Sequence, residues 1–227
     1  MYLSDIHTHS IASGHGTSCT ISDMAKAASK KGLKLLGITD HGPGTLAAGT
    51  SSYFRSLTYA PKKRFGIELL FGAELNILDT EGHLDLNDEL LSELDYAIAS
   101  MHAQNYKSGT VEENTSAYLN AMRHPCVKVL GHCDNPAFPV DYETLAFGAK
   151  EYGVIFEINE ASLMPDGYRG DTKENNREIL KYCMKYEIPI VLSSDSHGAE
   201  HIGDFTYGAE FVHEMMFPEK MILNNDI

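Results

Sequence analysis

Seven short runs of strand character recur along the chain: Tyr2 to Thr8, Lys34 to Thr39, Glu68 to Asn76, Tyr96 to Met101, Lys128 to Gly131, Val154 to Asn159 and Pro189 to Ser193. Between them apolar positions fall at helical spacing. The helices this predicts are Ser22 to Lys31, Leu86 to Leu94, Val111 to Arg123, Asp141 to Glu151, Asn175 to Tyr186 and Ala209 to Met216. The first opens on a Ser-Asp start signal and stops at Gly32. Strand then helix, repeated at this interval, predicts a parallel sheet covered by helices. An open doubly wound sheet gathers ligands at one switch point, whereas a barrel brings every strand end to one mouth. A polar or metal-binding residue follows every strand here. The expectation is therefore a closed α/β barrel of seven strands, in a single domain over residues 1–227.

The first run shows what the strands carry. In Ser4-Asp5-Ile6-His7-Thr8-His9-Ser10 successive side chains alternate, so Asp5, His7 and His9 share a face. The two imidazoles then stand about 6.5 Å apart along the strand, a spacing that suits two ligands of one ion. Later strands end similarly, in Asp40 and His41, Glu74, His102, His132 and Asp134, Glu157 and Asn159, and Asp195 and His197. His15 stands in Ser13-Gly14-His15-Gly16, where the flanking glycines let the backbone turn the ring inward. Protonated rings brought together would repel, while neutral rings offer lone pairs to a divalent ion, so the convergence implies a metal cluster. Nitrogen and carboxylate donors without thiolate favour zinc, manganese or iron over magnesium or calcium.

The other histidines have plainer readings. His83, in Thr80-Glu81-Gly82-His83, reads as a loop or hairpin residue, His124 as a helix-end or solvent-facing group, and His213 as structural. His201, soon after the last strand, is a candidate substrate contact. Among the cations of loops after strands (Arg55, Lys62, Lys63, Arg64, Arg169 and Lys173), Arg169 is the first choice to hold a phosphate oxygen. Glu157 and Asn159 have the phase to face the mouth, as satisfied interior polar residues also do.

Composition narrows the partners. A 227-residue chain that is 43% hydrophobic buries a large core, and its net charge of -14 stays acidic even with three dications bound. Without a basic stripe, a long nucleic acid is not an expected partner. The four cysteines show no paired spacing and read as reduced thiols of a cytoplasmic protein, with no room for a secretory signal before the first strand and no apolar run of membrane-spanning length.

Asp-Ile-His-Thr-His, Ile-Thr-Asp-His-Gly, Gly-Ala-Glu-Leu-Asn, Ser-Met-His, Leu-Gly-His-Cys-Asp and Ser-Ser-Asp-Ser-His, in that order, resemble the successive motifs of the PHP (polymerase and histidinol phosphatase) superfamily. Ser108-Gly109-Thr110 followed by Glu112-Glu113-Asn114-Thr115 is similar to its YcdX-type branch of small stand-alone zinc-dependent phosphatases. The resemblance implies a distorted (β/α)7 barrel with three zinc ions, manganese or iron being possible replacements. Carried over by residue, His7, His9, Glu74 and Asp195 hold one metal. His102 and His132 hold a second and share Glu74 as the bridge, while His15, His41 and His197 hold the third. Glu74, Asp195 and His197 are the catalytic candidates, and Asp5, Asp40 and Asp134 are expected to orient imidazoles. The expected activity is hydrolysis of a small phosphomonoester by metal-activated hydroxide. Alternatives are phosphodiester or carbon-nitrogen hydrolysis at the same site, or a non-catalytic barrel that binds a phosphorylated ligand.

Overall fold

The computed structural model describes residues 2–14 and 16–225. Its strands are β1 (Ser4–Asp5), β2 (Thr8–His9), β3 (Leu35–Ile38), β4 (Lys63–Arg64), β5 (Ile67–Phe71), β6 (Ala73–Asn76), β7 (Ala97–Ser100), β8 (Val127–Leu130), β9 (Ile155–Asn159), β10 (Ile190–Ser193) and β11 (Ser196–His197). Each predicted run contains one or two of these. The first and third runs each break into two strands, and the last continues past its predicted end at Ser193 into β11, because at each place the backbone changes its hydrogen-bonding neighbour.

Those splits close the ring. β3 pairs in parallel with β1 on one side and β5 on the other. Across Gly72 the chain continues as β6, which pairs with β7, and β7, β8, β9 and β10 follow in sequence. β10 runs on into β11, which pairs with β2. The pairings thus return to the first run, giving a distorted parallel barrel of seven runs; β4 adds an antiparallel flap on β5. Gly72 is required where β5 passes into β6, because a Cβ there would lie 2.7 Å from the backbone oxygen of Tyr96.

The helices are α1 (Ile21–Lys31), α2 (Ser51–Leu57), α3 (Asp88–Leu91), α4 (Val111–Ala121), α5 (Tyr142–Tyr152), α6 (Glu160–Leu163), α7 (Lys173–Tyr186) and α8 (Thr206–Glu214). α1 starts one residue before the predicted Ser22, because Thr20 caps it: Thr20 accepts from the Asp23 N–H, and the Asp23 carboxylate reaches back to the Thr20 N–H. Thr110 and Glu113 repeat this capping box on α4. α2 was not predicted, since residues 42–61 read as a loop. Its Phe54 and Leu57 are nonetheless buried in the main core.

Strand alternation sorts the interior. Ala97, Ala99, Phe156, Ile158 and Leu192 join the large core that also takes in Met24, Ala28, Ile179 and Leu180 of the helices. Residues of opposite phase, Ile98, Val129 and Val191, form a smaller cluster with Tyr96. One or two strand positions further on, that inner phase turns polar, through Ser100, Glu157 and Ser193. A dry floor therefore gives way to a polar mouth at the carboxyl ends of the strands.

Candidate metal centre

Glu74, at the second position of β6, is fully buried and lies at the centre of that mouth. Its Oε2 lies 2.7 Å from His41 Nδ1, 3.5 Å from His7 Nε2 and 3.6 Å from His9 Nε2. Its Oε1 lies 2.7 Å from His132 Nε2 and 3.3 Å from His102 Nε2. Asp195 Oδ1 faces the first group, 3.1 Å from His9 Nε2, 3.7 Å from His7 Nε2 and 3.7 Å from His197 Nδ1. The rings of His9 and His197 stack with centroids 4.2 Å apart. One carboxylate thus divides its two oxygens between two sets of imidazoles. With Glu74 and Asp195 they come from the ends of six of the seven runs, which only a closed parallel ring brings together.

Hydrogen bonds behind three of these rings decide their tautomers. His7 Nδ1 lies 2.8 Å from Glu157 Oε1, and a carboxylate only accepts, so Nδ1 carries the proton. Behind His9, Ser13 donates its one hydroxyl proton to Asp40 at 2.7 Å and so accepts from His9 Nδ1 at 2.8 Å. Behind His102, the Asn76 Nδ2 donates to Asp85 at 2.6 Å, which aims Asn76 Oδ1 at His102 Nδ1, 2.7 Å away. All three rings therefore turn an Nε2 lone pair toward Glu74, those of His7 and His9 also toward Asp195, the arrangement of metal-ligating histidines.

Lone pairs facing carboxylates repel unless positive charge lies between them. Among the described residues, His7 Nε2, His9 Nε2 and Glu74 Oε2 are buried without a hydrogen-bond partner. The electrostatics of the buried groups make the same demand. Burial pushes the Glu74 carboxyl up, yet His41, His102 and His7 outweigh it and hold it well below the usual range. Asp195 is likewise held low against burial, by His7, His9 and Arg169. His7 rises well above its ordinary value because Glu157, Asp195 and Glu74 overcome burial, whereas burial and Arg169 push His132 down to about 4. Carboxylates held ionised beside His9 and His132, two imidazoles that burial keeps neutral, fit a divalent cation. Three donor groups have ligand atoms within 4.8 Å of one another: His7 with His9 and Asp195, His9 with His41 and His197, and His41 with Glu74 and His102.

Backbone strain marks two of the same residues. His132 and Asp195 adopt φ of 28° and 53°, a region non-glycine residues rarely enter, and each stands two residues beyond the end of a strand.

Most of the residues expected at the mouth are there: His7, His9, His41, Glu74, His102, His132, Asp195 and His197. His15 lies outside the described residues. Of the expected orienting acids, Asp40 acts on His9 through Ser13, but the other two need correction. Asp5 accepts from the Ser194 and Gly203 N–H groups and the Ser194 hydroxyl, so it anchors the segment carrying Asp195 rather than a ring. Asp134 accepts from Ser162 and Asn176, tying β8 to α7, and burial raises it to about 6. The acid that orients His7 is Glu157, which phase alone could not assign.

Arg169 is 6% exposed and pairs with Asp195 Oδ2 at 2.8 Å, with Asn159 and Ser162 as further acceptors. It lines a cleft of about 590 Å³ together with His41, Glu74, His102, His132 and Asp195. Arg55, Lys62, Lys63 and Arg64 instead engage Glu89, Asp95, Glu68 and Ser22 away from it. His201 is exposed and does not line the cleft, its segment being committed to Asp5 and to its own turn. Outside the mouth, His83 pairs with Asp79, His124 with Asp88, and His213 is exposed.

Fold and cluster together define a parallel α/β barrel with a mouth suited to divalent cations. Comparison with known proteins sharpens that class: the chain belongs to the PHP domain family, whose profile matches residues 5–163, and a PHP-associated profile matches residues 173–210. It is 40% identical to a probable phosphatase of Clostridium novyi, over 99% of this chain and 91% of that one. A probable phosphatase of Thermoanaerobacter is also 40% identical, over 98% and 90%. Among solved structures, histidinol phosphate phosphatase of Lactococcus lactis, complexed with zinc, L-histidinol and phosphate, superposes with a TM-score of 0.64 at 17% identity, covering 96% of this chain and 95% of that one. No helix among the described residues is long and apolar enough to cross a membrane.

Proposed function

We propose that this protein is a metal-dependent phosphatase that hydrolyses a small phosphomonoester. The observation that carries the reading is Glu74, whose two oxygens face two imidazole sets across a buried, partner-poor gap. His7, His9, Glu74 and Asp195 would hold one ion, and His102, His132 and the other Glu74 oxygen a second. His41 and His197, with His15, would hold a third. Zinc suits this donor set, as do manganese and iron. When bound, such ions acidify water toward neutral pH and neutralise phosphate oxygens.

The protein's own groups do the rest. Glu157, Ser13 with Asp40, and Asn76 with Asp85 hold three imidazoles in the ligating tautomer. Arg169, fixed by Asp195, Asn159 and Ser162, presents its remaining guanidinium surface at the cleft and binds a phosphate oxygen. The strain at His132 and Asp195 is borne by the rigid barrel beneath them. Residues 1–227 act as one hydrolase domain, because helices from α1 to α8 share one apolar core. The free thiols of Cys133 and Cys183, buried in that core, suit a reducing cytoplasm.

Metal-replete protein should release phosphate from a generic aryl monoester, stop with a chelator and recover with zinc or manganese. Glu74→Gln should lower kcat by roughly 10³ or more, the scale of losing a principal electrostatic group, with the circular dichroism spectrum unchanged. Protein with full metal content that left a broad panel of monoesters intact would refute the reading.

A further inference from the structure

Resting on the phosphatase reading, we infer that the alcohol half of the substrate is an uncharged group with a flat apolar face, seated against Phe138 and Tyr168. A cleft of about 590 Å³ falls in the range of roughly 300–1,000 Å³ that holds ligands far larger than phosphate. Charge in that cleft is confined to one end. Among the described lining residues, the carboxylates are Glu74 and Asp195 and the cation is Arg169, all within the cluster or bonded to it. Beyond the cluster the wall is largely apolar, with Met101, Phe138 and Tyr168 its large side chains and Thr45, Gln104 and Asn135 its uncharged polar groups.

This distribution discriminates between substrates. An amine on the alcohol half would lose its water without gaining a carboxylate. A second anionic group would meet only Arg169, which already pairs with Asp195 and serves the phosphate. An apolar ring loses nothing by entering. Phe138 is 4% exposed, and its ring packs against Tyr106 at 6.1 Å between centroids, so the wall it offers is rigid. Tyr168 is 78% exposed although it lines the cleft, and the Arg169 guanidinium sits 4.6 Å from its ring centroid. Its ring carries apolar surface that a bound ring would cover, directly beside the group that grips the phosphate.

The test compares kcat/KM for monoesters of similar leaving ability: benzyl, propyl, 3-aminopropyl and 3-carboxypropyl phosphate. Benzyl phosphate should exceed propyl by about tenfold or more, and both charged esters should fall below propyl. Phe138→Ala and Tyr168→Ala should each pull the benzyl-to-propyl ratio toward one; the exposed Tyr168 keeps the test available should the Phe138 variant misfold. A charged ester equal to or better than benzyl, or a ratio unmoved in the folded variants, would overturn the seat while leaving the phosphatase reading intact. If no ester turned over, that reading would fall instead. The seat would then be judged by calorimetry, which must show metal-loaded protein binding benzylphosphonate more tightly than propylphosphonate.

Discussion

At the scale of single residues, what distinguishes this site is the group behind each imidazole. Asp85 illustrates it: it accepts from Asn76 Nδ2 and from the Asn76 and Gly44 N–H groups, and so fixes which way the Asn76 amide faces. Replacing Asn76 by Leu removes the acceptor of His102 Nδ1 and should weaken metal affinity or activity by about 10- to 100-fold. A metal titration followed by activity checks this, and an unchanged titration curve would show that His102 is held by other means. A second residue-scale expectation lies away from the mouth. The hydrogen bond that His83 donates to Asp79, with the charge of that carboxylate, lifts exposed His83 above the ordinary 6.5, and Asp79→Asn should lower it toward that value, as read by proton NMR titration. The His7-x-His9 pair was legible because strand alternation forces it. The positive φ of His132 and Asp195 was not, since a strand end followed by a polar residue carries no local sign of which way the backbone turns. Nor did phase alone show that Glu157 sits behind His7, because an interior acid is equally at home as a satisfied core residue.

At the scale of elements, the seven runs were legible because each is a short apolar segment bounded by turn residues. Their breaks were hidden. Residues 68–76 read as one strand, and only the ring as a whole makes β5 pair with β3 while β6 pairs with β7. Gly72 marks that exchange, and Gly72→Ala should cost about 1–3 kcal/mol through overlap with the Tyr96 carbonyl, visible as a lower denaturant midpoint at unchanged slope. α2 was missed in a segment rich in glycine, serine and threonine. Tyr53, Phe54 and Leu57 nonetheless carry helical spacing, and Tyr53 reaches Asp40 to complete the support of His9. A loop that supplies a site with second partners can hide a helix too short to show a full period.

At the scale of the molecule, an acidic chain sets the buried carboxylates of Glu74, Glu157 and Asp195 against its converging imidazoles, and that arrangement needs cations to be stable. Zinc present at about a hundred times its dissociation constant should therefore stabilise the fold by about 2.7 kcal/mol for each independent site, seen as a melting temperature that rises with free zinc. The most direct test of the central claim is anomalous scattering at the zinc edge from crystals of zinc-replete protein. It should reveal at least two peaks, one bordering each oxygen of Glu74, with His7, His9 and Asp195 around the first and His102 and His132 around the second. A single peak, or peaks that leave Glu74 without a metal neighbour, would contradict the account.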